Sequence, residues 1–380
     1  MRICDVVKNS IWYDPRVKKQ IKSYLADGCE LICVGVKDPR YDKAEVEKIP
    51  CTVDLADIDA RYFSGRRSIF TKVSRELKTN RGIYERIVAS GADIIHANDL
   101  NALIPAYKAA KKLKCKIIYD THEIFLENPW IAKNKLVKFV WGFFEKRLIH
   151  KVDAVVCVSH AAADYFEEKY SIQKPIVVTN CISAENIIDG ETEKDSPKQI
   201  LNHGQFYAGR GYDLMIEAAP LLADHSDIQL VLRGFGPMEE GLRKRVDELG
   251  ANNVRFAEPV RIEELIPLAS RAFAALAITE AISLNFKLSV SNKIFEYAAA
   301  GLPVIMSDIP EHRYLNDKYG FGIVLPSDTP QEIAKAVLKL YSDSSFYEKC
   351  SAAARRLSRE INWDAEFKKL LTVEKDLLDR

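Results

Sequence analysis

Short runs rich in Ile, Val and Ala recur along the chain without strict alternation. Between them lie segments whose apolar residues fall three and four positions apart, the spacing of one helix face. Residues 2–7, 30–36, 93–97, 116–119, 154–159 and 175–179 read as strands buried on both faces, the pattern of a parallel sheet. Helical spacing occupies 17–26, 102–112, 133–149 and 161–170, so the first half is a βαβ series. A polar, charged stretch, 186–197, reads as a linker. The alternation then restarts, with strands at 199–203, 228–233, 253–257, 272–278, 304–306 and 322–325 and helices at 212–222, 239–249, 262–269, 293–300 and 330–342. The tail, 347–378, reads as helix interrupted near Ile361-Asn362-Trp363. This predicts an α/β protein of two doubly wound, Rossmann-like domains, 1–185 and 198–355, with ligands at the carboxyl ends of the strands.

Two cations interrupt this regular pattern. Lys293 falls in the first turn of a helix opened by Ser291-Asn292 and ended by Gly301 and Pro303. A lysine there opposes the helix dipole at a cost of roughly 0.3–1 kcal/mol, unless a bound anion reverses the sign. Arg210-Gly211 opens the helix at 212–222 in the same way, after Asn202-His203-Gly204-Gln205 ends a strand. Glycine there lets a ligand approach the backbone. Two cationic helix starts in one half of the chain point to a shared anion, a phosphate above all, with Glu296 one turn on as an acceptor for sugar hydroxyls.

Composition narrows the function classes. The chain has 380 residues, 47% hydrophobic and 29% charged, which excludes disorder and favours two domains. No apolar run approaches the roughly 20 residues of a membrane span, and the start lacks a signal-peptide pattern, so a cytoplasmic protein is expected. The eight cysteines contain no CxxC pair and read as reduced thiols, and no metal-ligand spacing is apparent. The net charge is +1, yet Arg61 to Lys151 holds nineteen Lys/Arg against eight Asp/Glu. Within it Lys133, Lys135, Lys138, Lys146 and Arg147 interleave with Trp130, Phe139, Trp141, Phe143 and Phe144. This is the composition of an ordinary basic surface helix, or of one that lies on an anionic membrane face. No recognition motif for nucleic acid accompanies the charge.

Taken in order, Gly204…Arg210-Gly211, Val231-Leu232-Arg233-Gly234-Phe235-Gly236-Pro237 and Asn292-Lys293-Ile294-Phe295-Glu296-Tyr297…Gly301-Leu302-Pro303-Val304-Ile305 resemble the GT-B glycosyltransferases of family 4. Asp14-Pro15-Arg16-Val17, Ile95-His96-Ala97-Asn98-Asp99 and Tyr119-Asp120-Thr121-His122-Glu123 resemble the same family, so the likeness covers nearly the whole chain. The resemblance implies two domains facing a cleft, an acceptor-binding first domain, a donor-binding second domain, and a terminal helix, 356–380, crossing back to the first. It implies metal-independent, configuration-retaining transfer from a nucleotide-sugar co-substrate, a UDP-sugar by family frequency, to a glycan or lipid-linked acceptor, as in surface polysaccharide synthesis. No other cofactor is implied. Gly204, Gln205, Arg210, Ser291, Asn292 and Lys293 would hold the diphosphate, Glu296 the ribose, and Arg233, Pro259 and Val260 the base. Arg210, Lys293 and His122 would act in catalysis, and Asp14, Asp99 and His122 would face the acceptor. Asp14 before Pro15 also has the form of a helix cap.

The chain departs from the family pattern at Gln205, where an arginine is usual, at Leu288, where the first of two spaced glutamates is usual, and at Lys8-Asn9-Ser10 in place of a glycine-rich loop. Contacts to the donor sugar then fall to Ser283, Asn285 or Ser289. A sugar-nucleotide epimerase, a phosphorylase or a non-catalytic nucleotide-sugar binder would share the architecture. A nicotinamide enzyme is disfavoured, because Gly234-Phe235-Gly236-Pro237-Met238-Glu239 has Glu where the third fingerprint glycine belongs.

Overall fold

The computed structural model describes residues 1–12, 14–38, 41–57 and 69–379, apart from the side chains at 69–72 and 130. The beginning of the basic segment, Arg61 to residue 68, and the Trp130 side chain therefore lie outside the described residues. The chain forms two compact units, Met1–Thr179 with Glu366–Arg380, and Asn180–Ala365.

The first unit is built on β1 (Arg2–Val6), β2 (Glu30–Val36), β3 (Thr52–Ala56), β4 (Ile94–Asn98), β5 (Lys116–Thr121), β6 (Ala154–Cys157) and β7 (Ile176–Val177). They pair in the order β3-β2-β1-β4-β5-β6-β7, and the pairs are parallel. The second unit holds β8 (Lys198–His203), β9 (Ile228–Arg233), β10 (Val254–Ala257), β11 (Ala274–Ala277), β12 (Val304–Met306) and β13 (Gly322–Val324), in the order β10-β9-β8-β11-β12-β13, again parallel. Both are doubly wound Rossmann-like sheets, as the unbroken apolar runs require: a strand covered on both faces has no polar side to alternate with.

The strand β3 and the helix Ile69–Ser90 escaped the sequence reading. Thr52-Val53-Asp54-Leu55-Ala56 is an edge strand with only Ala56 fully buried, so its hydrophobic signal is weak. The tail divides where expected, into Ser344–Glu360 and Trp363–Leu378. Trp363 is 2% exposed, and its N–H donates to Ile182 O at 2.8 Å. Beyond it, Glu366–Arg380 belongs to the first unit, where Phe367 packs edge-on against Tyr24 with ring centroids 4.9 Å apart.

In each sheet the strand order reverses once, between β1 and β4 and between β8 and β11. Loops leave a reversal point on opposite sides and open a crevice at the strand ends, which makes it the natural ligand position.

Candidate functional site

At the reversal point of the first unit the strands end in charge. Asp5, His96, Asn98 and Asp120 are each 1% exposed or less. The first helix (Pro15–Ala26) delivers Arg16, which forks onto Asp120: Nη2 donates to Oδ1 and Oδ2 at 3.0 and 2.8 Å and Nε to Oδ2 at 3.1 Å. Gln20 Nε2 donates to Asp120 Oδ2 at 3.1 Å, and His96 Nε2 lies 3.1 Å from the same oxygen. His96 Nδ1 lies 3.5 Å from Glu374 Oε1, and Tyr24 donates its hydroxyl hydrogen to that oxygen. Burial opposes charge on Asp120, but Arg16, the nearby His122 and the hydrogen bond with His96 outweigh it and hold the carboxyl well below its usual range. Burial also opposes charge on His96, and its bonds to Asp120 and Glu374 outweigh that, raising its pKa to about 10. The cluster is an internally compensated array of ions.

His122 sits on its open side, 16% exposed. Its Nε2 is 2.9 Å from Asn98 Oδ1 and 3.7 Å from Asp120 Oδ2. Its backbone N–H donates to Asp99 Oδ1 at 2.9 Å. Burial lowers its pKa, but Asp99 and Asp120 raise it more, so the net shift is upward. Asp99 begins the helix Asp99–Leu113 with φ 64°, a left-handed conformation that is strained for a residue with a side chain. Burial pushes its carboxyl up to about 7 against the opposing pull of His122. Two of the expected acceptor-side residues, Asp99 and His122, are thus in contact. The third, Asp14, caps the first helix: its carboxylate accepts from Arg16 N and Val17 N at 3.1 Å each and from Asn9 Nδ2 at 3.0 Å.

The second unit differs at the same topological place. The loop after β8 continues alongside the loop after β9, with Gly204 N–H on Arg233 O at 2.9 Å and Phe206 N–H on Phe235 O at 2.8 Å. A Cβ on Gly234 would fall 1.9 Å from Gly204 O, so this close approach demands glycine. Lys293 lies against the turn: a Cβ at Gly204 would come within 3.0 Å of Lys293 Cε. The lysine is 6% exposed, and its Nζ stands 5.7 Å from the centre of the Tyr212 ring. Burial first, then the charge of Arg210, push its pKa down to about 7, with Glu296 offsetting part of the shift. Among the described residues no carboxylate lies within ion-pair distance of Lys293 or Arg210. The helix Asn292–Ala299 starts at Ser291 without a side-chain cap and without an acid in its first turn. Its opening N–H groups and the two cations therefore favour the same kind of ligand.

Glu296, one turn on, is anchored from β8: His203 Nε2 lies 2.7 Å from its Oε2, and its side chain stays 21% exposed. Arg233 ends β9 and donates from Nη1 to Glu258 O at 3.1 Å, beside Pro259 and Val260 in the loop after β10. Gln205 is exposed, and its carbonyl accepts from the Tyr212 hydroxyl at 3.1 Å. Ser283 caps the helix Leu284–Leu288 through Phe286 N at 3.3 Å, while Asn285 is buried. Glu280 was not anticipated. Its Oε1 accepts the N–H of Gly211 at 2.9 Å, and Gly211 holds φ 65° to begin the next helix. Arg16, His96 and Glu374 were missed as members of a cluster, although a histidine and an aspartate inside apolar strands were a signal, since such groups are seldom buried without partners.

Comparison with known proteins bears on the family and the fold. Residues 17–186 match the model "Glycosyltransferase Family 4" and residues 183–357 the model "Glycosyl transferases group 1". An uncharacterised glycosyltransferase of Methanocaldococcus jannaschii is 25% identical over 277 residues, 68% of each chain. Among solved structures, sucrose-phosphate synthase of Thermosynechococcus elongatus superposes with a TM-score of 0.76 at 14% identity, covering 100% of this chain and 99% of that one. Anabaena HepE, solved in complex with UDP, gives a TM-score of 0.73 at 15% identity over 99% of this chain and 100% of its own. With two family models meeting end to end across the two Rossmann-like units, the chain belongs to the group 1, family 4 glycosyltransferases of the GT-B fold.

Proposed function

We propose that this glycosyltransferase takes its sugar from a nucleoside diphosphate sugar, with UDP as the favoured nucleotide, and that the second unit binds this donor. The observation that carries the reading is the pair Lys293 and Arg210, two cations near Tyr212 beside the Gly204–Gly234 turn, with no carboxylate within ion-pair distance among the described residues. A diphosphate placed there would return Lys293 to its ordinary charged state and meet the helix N–H groups. The UDP bound by the structurally similar HepE supports the choice of nucleotide.

The chemistry follows from where charge grows. As the glycosidic bond to the diphosphate breaks, negative charge develops on the phosphate oxygens. Fixed cations and N–H groups aimed at them stabilise that transition state more than the ground state. Arg210 and Lys293 fill this role, so the proposed transfer needs no divalent ion. Gly204, Gln205, Ser291 and Asn292 contribute backbone and polar contacts, Glu296 grips the ribose, and the backbone around Arg233, Pro259 and Val260 faces the base. His122, held by Asn98 and Asp99, hydrogen-bonds the acceptor on the first unit. Transfer proceeds with retention of anomeric configuration to a glycan or lipid-linked acceptor, in the cytoplasm.

Thermal-shift measurement with UDP, GDP, dTDP and ADP tests the donor site, because a ligand that binds the folded form alone raises the melting temperature. UDP should give the largest rise, and Arg210→Ala and Lys293→Met should each abolish it. A rise that survives both substitutions would place the nucleotide elsewhere. Proton NMR of the product's anomeric coupling reads retention against inversion.

A further inference from the structure

The helix Lys135–Leu148 turns the wrong face outward. Leu136, Phe139, Val140 and Phe143 recur at the i, i+3, i+4 and i+7 spacing of one stripe. A stripe of that kind normally faces the core. Here its members are 60%, 73%, 45% and 57% exposed, while Glu145 and Leu148 are buried. Glu145 is the sole acid of the helix and is 1% exposed, taking hydrogen bonds from the hydroxyls of Tyr119, at 2.9 Å, and Tyr170. Lys138 is paired with Glu127 at 2.7 Å. Lys133, Lys135, Lys146 and Arg147 are exposed, with no carboxylate within ion-pair distance among the described residues. Helical periodicity sets Lys135 and Lys146 along one edge of the stripe and Arg147 at its C-terminal end. The outward face is therefore apolar in the middle, cationic at the border, and emptied of negative charge.

We propose that this face docks the protein on an anionic lipid surface. Phe139 and Phe143 enter the boundary between headgroups and acyl chains, and Lys135, Lys146 and Arg147 meet lipid phosphates. Charge selects this occupant over a second copy of the chain. A two-fold contact would set the patch against itself and bring like charges together, whereas an anionic leaflet complements every exposed charge on the helix. Among the described residues no helix is long and apolar enough to cross a membrane, so the attachment is interfacial. The proposal stands apart from the donor-site reading and is tested without turnover.

The test is co-sedimentation of the full chain with vesicles of phosphatidylcholine alone and of phosphatidylcholine with phosphatidylglycerol, at low and high salt. The wild type should pellet with the anionic vesicles and be released by salt. The double variant Phe139→Asp/Phe143→Asp and the triple variant Lys135→Gln/Lys146→Gln/Arg147→Gln should each lower the partition coefficient by about tenfold or more. Both should keep the wild-type circular dichroism and melting temperature, since the altered side chains are exposed. Absence of binding at low salt overturns the proposal, as does binding that both variants retain. Lipid-free dimerisation abolished by Phe139→Asp/Phe143→Asp would assign the face to a second copy instead, and equally overturn it.

Discussion

The two units present the same topological feature, a reversal in strand order, and fill it in opposite ways. In the first, Arg16 and His96 are neutralised from within by Asp120 and Glu374. In the second, Lys293 is also buried, yet a cation, Arg210, adds to the depression of its pKa, and the acid that offsets part of that shift, Glu296, is bonded to His203. A compensated cluster fixes structure. An uncompensated pair of cations raises the energy of the free protein and lowers that of a complex with an anion. Burial of charge alone therefore does not mark a ligand site; burial of charge without a counter-charge does.

Removing a charge from each place should separate the two sharply. Asp120→Ala leaves Arg16 and His96 buried without their shared partner and should cost about 3–5 kcal/mol in urea unfolding. A loss below about 1 kcal/mol would show that the cluster is not held as described. In the second unit Arg210→Ala should leave unfolding unchanged and cut kcat by about 10²-fold or more, the scale of other lost charge-stabilising groups. Equal damage to stability and turnover would erase the contrast.

A pH series sharpens it further. The pKa of His96 is raised from 6.5 to about 10 by folding, so its contribution to stability is full below pH 6.5 and is lost as pH rises through about 10. Lys293 runs the other way. Folding lowers it from 10.5 to about 7, so it costs stability below pH 7 and that cost fades as pH climbs towards 10.5. In the wild type the two slopes oppose each other between pH 7 and 10. Lys293→Met should remove one of them, leaving stability at pH 7 equal or higher and its decline towards pH 9 steeper by about 1 kcal/mol per pH unit. Parallel curves for variant and wild type would show that Lys293 is not strained by burial.

The smallest expected effect is at the ribose. Glu296→Gln keeps the shape of the side chain and an oxygen for His203, so it should raise the donor KM by about tenfold with kcat little changed. An equal fall in kcat and kcat/KM would instead place Glu296 in the transition state.

The regular architecture was legible because both of its signals are local. Apolar runs gave the interior strands, and helices such as Glu239–Leu249, Ile262–Ala269 and Pro330–Ser342 were readable to the residue from their spacing and from punctuating Gly and Pro. The edge strand β3 was lost because an edge is half solvated and needs few apolar residues. At the candidate site Lys293 and Arg210 stood out through their conflict with a helix start. Glu280 did not, since nothing in a single acidic residue announces that it will hold a backbone N–H sixty-nine positions away. Glu374 was hidden for the same reason, on the last helix and 350 residues from Tyr24.

The sequence by itself determined the two doubly wound units, the glycine turn of the second and the cations placed beside it, because periodicity, backbone freedom and helix polarity act over a few residues. Tertiary structure alone decided which charges meet. It drew Asp120, His96 and Glu374 into one neutralised cluster, left Lys293 and Arg210 with no carboxylate at ion-pair distance among the described residues, and turned Phe139 and Phe143 of Lys135–Leu148 towards solvent. Electrostatic compensation and exposure depend on which residues become neighbours in space, and no local pattern in the chain carries that information.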